Sequence, residues 1–555
     1  MINLVYTLQY KDIYDGEPED IYSILNSMHP ETMMRLVESK HSGQVGLINF
    51  FQNKEIQDRI NVRLDKILKK FKNRVVLFND LSYLRIIEAF LSVKDNLKNI
   101  TISNDQIQEN IFKLFLIFNQ EIIGNEDKSV IKIKEMTTND LESKAYFIFL
   151  NQFYRSDTEL NKTKGDKLKY INGTIFKLKN LFLFLIEYNL EDFRNDIITS
   201  FNVKDENELF QKMINLLLFV LSKDQINSII ISEDDAEFIN SIASQKVEIT
   251  EDFRNLKENP LLEIGSNTFT YFDLLFLTDR FYKGIKFNFK KLYESDKKTL
   301  MNHGNFFSFY NLEFSEKYLT NKILNDIFQK KYFLKLSELI TNDKPDYYIR
   351  HNNDIFIFEC KDILINGEIK SSNDIEKIIN EIKKKLLFDK KDVGVGQLVN
   401  HISKIIEKKF EFDEYVNIDK SSNLRIFPIL ILHERIFDIE GLNYILNMFF
   451  LARIKEKFGE KYDQSKIRNL TIIDIDTLIY LKDYFKSKDK NFKNLIEKHL
   501  LESSQKLKLD RVRDQFDVDS KLHSIFKPIS KRKLLDTKFD PLKKIENLLI
   551  DIIKI

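Results

Sequence analysis

The stretch KPDYYIRHNNDIFIFECKD, residues 344–362, decides the reading of the C-terminal half. Side chains alternate faces along a strand, so Glu359 and Lys361 point one way and Cys360 the other. Asn352 and Asn353, between His351 and Asp354, signal a turn, because Asn tolerates the positive φ that a two-residue hairpin loop demands. A loop centred there sets Asp346 directly opposite Glu359: each step back from Asn352 matches one step forward from Asn353. One face of the ribbon then carries Asp346, Glu359 and Lys361. The other carries Pro345, Tyr347, Ile349, Phe356, Phe358 and Cys360, an apolar set fit for a core. Two carboxylates and an amine on a rigid sheet make a metal site with a positioned cation.

In the nuclease superfamily that this pattern resembles, such a trio serves phosphodiester hydrolysis. The substrate is an anion and repels hydroxide. Hard oxygen ligands hold Mg²⁺, which neutralises the phosphate and lowers the pKa of a bound water. A nearby Lys adds positive charge where the transition state gains negative charge. The bland alternative is a solvated Glu–Lys pair on a hairpin, and a strand as apolar as IFIF argues against it.

Pro345-Asp346 followed by Glu359-Cys360-Lys361 resembles the PD-(D/E)xK, or restriction-endonuclease-like, nuclease superfamily, over roughly residues 311–485. The resemblance implies an α/β core of helix, hairpin, helix, strand, helix and strand. It implies Mg²⁺, with Mn²⁺ as a substitute, held by Asp346 and Glu359, and Lys361 acting on the attacking water. A helix ahead of the PD strand often adds a Glu to the metal site in this family, and Glu316 matches best, with Glu313 second. A second core helix often opens with Gln, four residues before an aromatic. Gln397 fits as a donor near the scissile phosphate, while His401 stands where Tyr is commoner.

The chain has 555 residues, enough for two or three cores. It carries 86 Lys and Arg against 85 Asp and Glu, so the whole molecule is no obvious polyanion binder. Residues 301–555 hold 46 basic and 40 acidic residues and the first 300 hold 40 and 45, which makes the motif-bearing half mildly basic. Cys360 is the sole cysteine, so an internal disulfide and a Cys-based zinc site are excluded. It reads as a small buried residue behind the acidic face, not a nucleophile. Apolar runs such as LFLFLI are far short of a membrane span, and the N-terminus lacks a basic-then-apolar leader. A reducing cytoplasm is the expected compartment.

Four regions are expected. Residues 1–245 read as helices with apolar positions at spacings of three and four, a recognition or regulatory region. Residues 246–310 form a hairpin-and-helix connector, with a turn at Gly265-Ser266-Asn267 and a helix, DLLFLTDRFYKGI, ending near Gly284. Residues 311–485 hold the nuclease domain, including an amphipathic helix over 311–330, an inner strand LRIFPILILHE with an awkward Pro428, and a last strand LTIIDIDTL. Residues 486–555 form a helical tail with a basic SKRK run. No G-x-x-x-x-G-K-[ST] sequence occurs, which excludes a P-loop ATPase. Lys383, Lys384, Lys385 and Lys404 are the expected phosphate contacts.

The sequence reading is thus a Mg²⁺-dependent endonuclease acting on nucleic acid, DNA before RNA. Its helical half would bind a protein partner or form a homo-oligomer. A nuclease joined to a large helical region resembles a bacterial anti-phage defence effector in architecture. The alternatives are a binding or assembly protein with a degenerate nuclease fold, and an RNA-directed nuclease.

Overall fold

The hairpin forms in the register that its turn dictates. Tyr347 pairs with Phe358, Ile349 with Phe356 and His351 with Asp354. Asn352 takes φ +54° at the turn, a conformation that costs Asn little. The computed structural model describes residues 6–553, apart from 40–49, 72–74, 99, 159–161, 223–227, 245–246, 251, 329–332, 335–343, 419–422, 460–462, 464, 489, 505–514 and 537.

The hairpin belongs to a five-stranded mixed sheet of Phe333–Leu334 (β1), Tyr347–His351 (β2), Asp354–Lys361 (β3), Arg425–Leu432 (β4) and Thr471–Asp474 (β5). Its spatial order is β5-β4-β3-β2-β1. β1, β2 and β3 are antiparallel in turn, whereas β3, β4 and β5 run parallel. A four-stranded mixed sheet forms around the second hairpin, Leu261–Gly265 with Thr268–Tyr271. The rest is mostly helical, and among the described residues no helix is long and apolar enough to cross a membrane.

Pro428 lies inside β4, a central strand, and needs no bulge there. Ile426, two residues earlier, exchanges backbone bonds with Lys466 and Arg468 on the β5 side. Pro428 has the same parity, so its nitrogen faces that side just before the β4–β5 ladder begins at Ile429 and Thr471. The missing N–H falls in a gap between partners.

The helices that matter here are Asn104–Met136 (α1), Asp140–Arg155 (α2), Lys164–Glu187 (α3), Ile285–Ser295 (α4), Asn321–Phe328 (α5), Ile375–Leu386 (α6), Val395–Ile406 (α7) and Leu442–Phe458 (α8). Both faces of the central sheet are covered. Tyr348, Ile355, Ile357, Leu430 and Ile472 pack with α2, α6, α7 and α8. Tyr347, Ile349, Phe356, Phe358 and Ile429 join a core with α3, α4 and α5. A third core gathers residues 8–122 with Phe253, Leu262 and Phe276. The packing therefore does not part at residue 245, since α2 and α3 supply the covers of the sheet.

Three local expectations change. The helix from Leu274 does not stop at Gly284: it passes through a π-helical turn, Arg280–Gly284, into α4. The segment Tyr310–Thr320 is π-helical before α5, and residues 329–330 of the expected helix lie outside the described residues. LTIIDIDTL is a strand only to Asp474, whose carboxylate accepts the Thr477 N–H at 2.8 Å and starts a helix there.

Candidate active site

The end of β3 and the residue before β2 bring three charged groups together, and two more side chains reach them from helices. Lys361 Nζ lies 3.2 Å from Glu359 Oε2 and 3.6 Å from Asp346 Oδ2. Asp346 Oδ2 also accepts the Cys360 backbone N–H at 2.7 Å, which pins it beside the strand end. Glu316, from the π-helical segment, shares a hydrogen bond with Asp346. His401 Nε2, from α7, sits 3.2 Å from Glu359 Oε1.

The face bearing the carboxylates is not polar along its length, as the hairpin alone implied. Ile355 and Ile357 share it and are core residues; only its end carries charge. Glu359 is 0% exposed, and its two oxygens are taken by Lys361 and His401. Asp346 and Lys361 keep some surface, with side chains 11% and 18% exposed. Cys360 is buried on the opposite face, its Sγ 3.2 Å from both Thr320 Oγ1 and His433 Nε2. Burial drives its thiol well above the usual range, which fits an inert side chain.

The electrostatics follow from crowding acids at low exposure. Burial first, and then the neighbouring Glu359 charge, push Asp346 up to about 7. Burial and Asp346 push Glu316 up to about 8. The proton they share near neutrality relieves like-charge repulsion. Burial lowers the Lys361 pKa, but Asp346, Glu359 and Glu316 outweigh it and hold the ammonium charged.

The donor set, carboxylate oxygens of Asp346, Glu359 and Glu316, is the hard type that Mg²⁺ takes. Among the described residues, however, no three His, Cys, Asp or Glu side chains stand grouped as a metal cage. The Lys361 ammonium stands within 3.6 Å of both carboxylates.

The remaining sequence candidates lie elsewhere. Gln397 Oε1 accepts the Gly394 N–H at 2.8 Å and caps its own helix; no hydrogen bond ties it to the cluster. The residue of α7 that reaches the acids is His401, one turn on. Glu313 turns to Tyr188 and Lys317. Lys383, Lys384 and Lys385 occupy consecutive helical positions and splay apart: Lys383 covers the Phe449 ring, Lys385 lies 3.7 Å from Glu381, and Lys384 is exposed. Lys404 is half-buried on α7. Arg532 of the SKRK run is 5% exposed and donates to His499, Glu502 and backbone carbonyls, so it holds the tail together.

One large feature escaped the sequence reading. β3, β4 and β5 are parallel, so their carboxyl ends share one edge of the sheet, and charged residues follow each. Asp362 takes Lys286 at 2.9 Å, Glu434 takes Lys283 at 2.5 Å, and Arg435 pairs with Asp279. Asp438 pairs with Lys169, and Asp476 takes Lys177 at 2.8 Å. The partners recur at helical spacing on α3 (169, 177) and on the helix running into α4 (279, 283, 286). Charges so buried must be paired, and here nearly every one is. Gly173, between the two α3 lysines, allows the approach: a Cβ there would meet Asp476 Oδ1 at 2.0 Å. No protein-family model, curated protein or solved structure matches the chain.

Proposed function

We propose that the chain is a divalent-metal-dependent endonuclease of the PD-(D/E)xK type, acting on DNA or RNA. The observation that supports it is the convergence of Asp346, Glu359 and Lys361 at one strand end, joined by Glu316 from the preceding helix. The mixed sheet around them, an antiparallel hairpin followed by two parallel strands with helices on both faces, supports the reading. Asp346 and Glu359 would hold Mg²⁺, with Glu316 beside them. The metal would supply charge neutralisation and an acidified water. Lys361, within 3.6 Å of both carboxylates, would place its ammonium beside the bound phosphate. His401 keeps Glu359 in one orientation throughout. Glu316 would keep one proton on the Asp346 pair near neutrality, because burial and the neighbouring carboxylate raise both groups. A defence role would make the helical half a sensor.

The test is purified protein incubated with plasmid and with RNA, in Mg²⁺, Mn²⁺ or EDTA, beside Asp346→Ala. Metal-dependent cleavage of either polymer, lost in the variant, supports the reading. A second reading, a binding or assembly protein with a degenerate site, is favoured by the Lys361 bridge between the acids. It predicts no cleavage under any of these conditions.

A further inference from the structure

A cavity of about 810 Å³ opens beside the buried ion pairs, a size typical of small-molecule sites. Its walls are Asp157, the segment 252–259, the π-helical turn and start of α4, the loop after β3, the start of the loop after β4, and one side of α6. None of Glu316, Asp346, Glu359, Lys361 or His401 lines it.

The lining is short of negative charge, with eight Lys and Arg against six Asp and Glu. Lys257 and Lys370 both converge on one oxygen, Oδ2 of Asp157. Burial lowers Lys257 to about 8, and burial with the Arg435 charge lowers Lys370 to about 7. Arg280 makes no ion pair within 4 Å among the described residues; the Glu258 charge reaches it from the cavity wall, and its guanidinium lies over the Phe201 ring. Asp157 Oδ1 is buried without a donor. Arg280 lines the cavity together with Lys283, Lys290 and Lys291. Phe287, 38% exposed, with Leu364, Ile365 and Ile436, gives it an apolar wall.

We propose that this cavity binds a phosphate ester of nucleotide size, separately from the Asp346 cluster. The phosphate takes the Arg280 fork and the neighbouring lysines, because a tetrahedral dianion accepts from several sides at once. The base lies on Phe287 and the aliphatic side chains. Such a phosphate comes from a free nucleotide or from one unit of a nucleic-acid strand.

Calorimetric titration of the full chain with AMP, ATP, inorganic pyrophosphate and a twelve-nucleotide single strand tests it. Expected is binding of a nucleotide or of the strand, weakened at least tenfold in Arg280→Met and unchanged in Asp346→Ala. Arg280 has no ion-pair partner to strand, so its loss leaves no buried carboxylate unpaired, and circular dichroism checks the fold. Tight binding of AMP or ATP assigns a free nucleotide; binding of the strand alone assigns the polymer. No binding by any probe at millimolar concentration, or binding indifferent to Arg280→Met, overturns the proposal. Loss of binding in Asp346→Ala assigns the phosphate to the proposed nuclease site instead, and likewise overturns it.

Discussion

Replacing Lys286 by Met tests whether the buried ion pairs hold the sheet edge. Lys286 Nζ donates to both oxygens of Asp362, at 3.0 and 2.9 Å, and both side chains are 2% exposed. Ser315 Oγ adds a bond at 2.7 Å. Burial alone would raise the Asp362 pKa, but Lys286 leads the opposing causes and the carboxyl ends at about 2. Against an ordinary value of 3.8, that shift corresponds to roughly 2 kcal/mol of stability. The sign follows from the depression: this stability is present above pH ~4 and is lost as pH falls through about 2. The substitution does more, because it leaves Asp362 buried and unpaired, which costs about 3–5 kcal/mol. The second effect dominates at pH 8. At pH 5 Asp362 in the variant can take a proton and shed most of that penalty. Urea unfolding followed by circular dichroism should therefore show a large loss at pH 8 and a smaller one at pH 5. Lys286→Met with Asp362→Leu should recover much of it, since two apolar side chains replace the pair. A loss under about 1 kcal/mol at pH 8, or an equal loss at both pH values, would refute the reasoning.

Asp346→Asn should abolish cleavage yet raise thermal stability at pH 8. A carboxyl raised to about 7 in the folded chain contributes stability that is full below pH ~4 and lost as pH rises through 7, and the amide removes that loss; a melting temperature lower than wild type at pH 8 contradicts this. His401→Ala should lower the cleavage rate about ten- to a hundredfold, the worth of one hydrogen bond to a charged group, while His401→Gln restores part of it; wild-type rates in both variants would remove His401 from the site. Gly173→Ala should cost several kcal/mol, because a Cβ meets the Asp476 carboxylate and α3 must shift, whereas Gly165→Ala, near the exposed start of α3, should be close to neutral in the same melts.

The hairpin was legible because its information is local. A turn pair, strict alternation and an apolar run fix the register that pairs Tyr347 with Phe358 and carries Asp346 to Glu359. Glu316 was reached only by resemblance, since nothing within its own helix says that it bends toward Asp346. His401 and Gln397 share a face at i and i+4, and that spacing could not say which would face the acids. Gln397 instead satisfies an N–H at its own helix start. The paired lysines stayed hidden for a different reason. Lys169 and Lys177 read as polar interruptions of an apolar helix, and their partners lie hundreds of positions downstream. The four expected regions assumed that cores follow sequence order, while α2 and α3 cross to cover a sheet made much later in the chain.

That ordering bears on how the chain is made. Lys169 leaves the ribosome 269 residues before Asp438, and Lys286 leaves 76 residues before Asp362. At about 5–20 residues per second, the wait for Asp438 is on the order of tens of seconds. Until the strand ends emerge, α3 and α4 carry cations that cannot be buried without counter-charge. Those helices should therefore stay open during synthesis, their lysines in water, α4 until Asp362 emerges and α3 until Asp438 does. The sheet edge works as a late lock, and a nascent chain halted before residue 438 should remain protease-sensitive across α3.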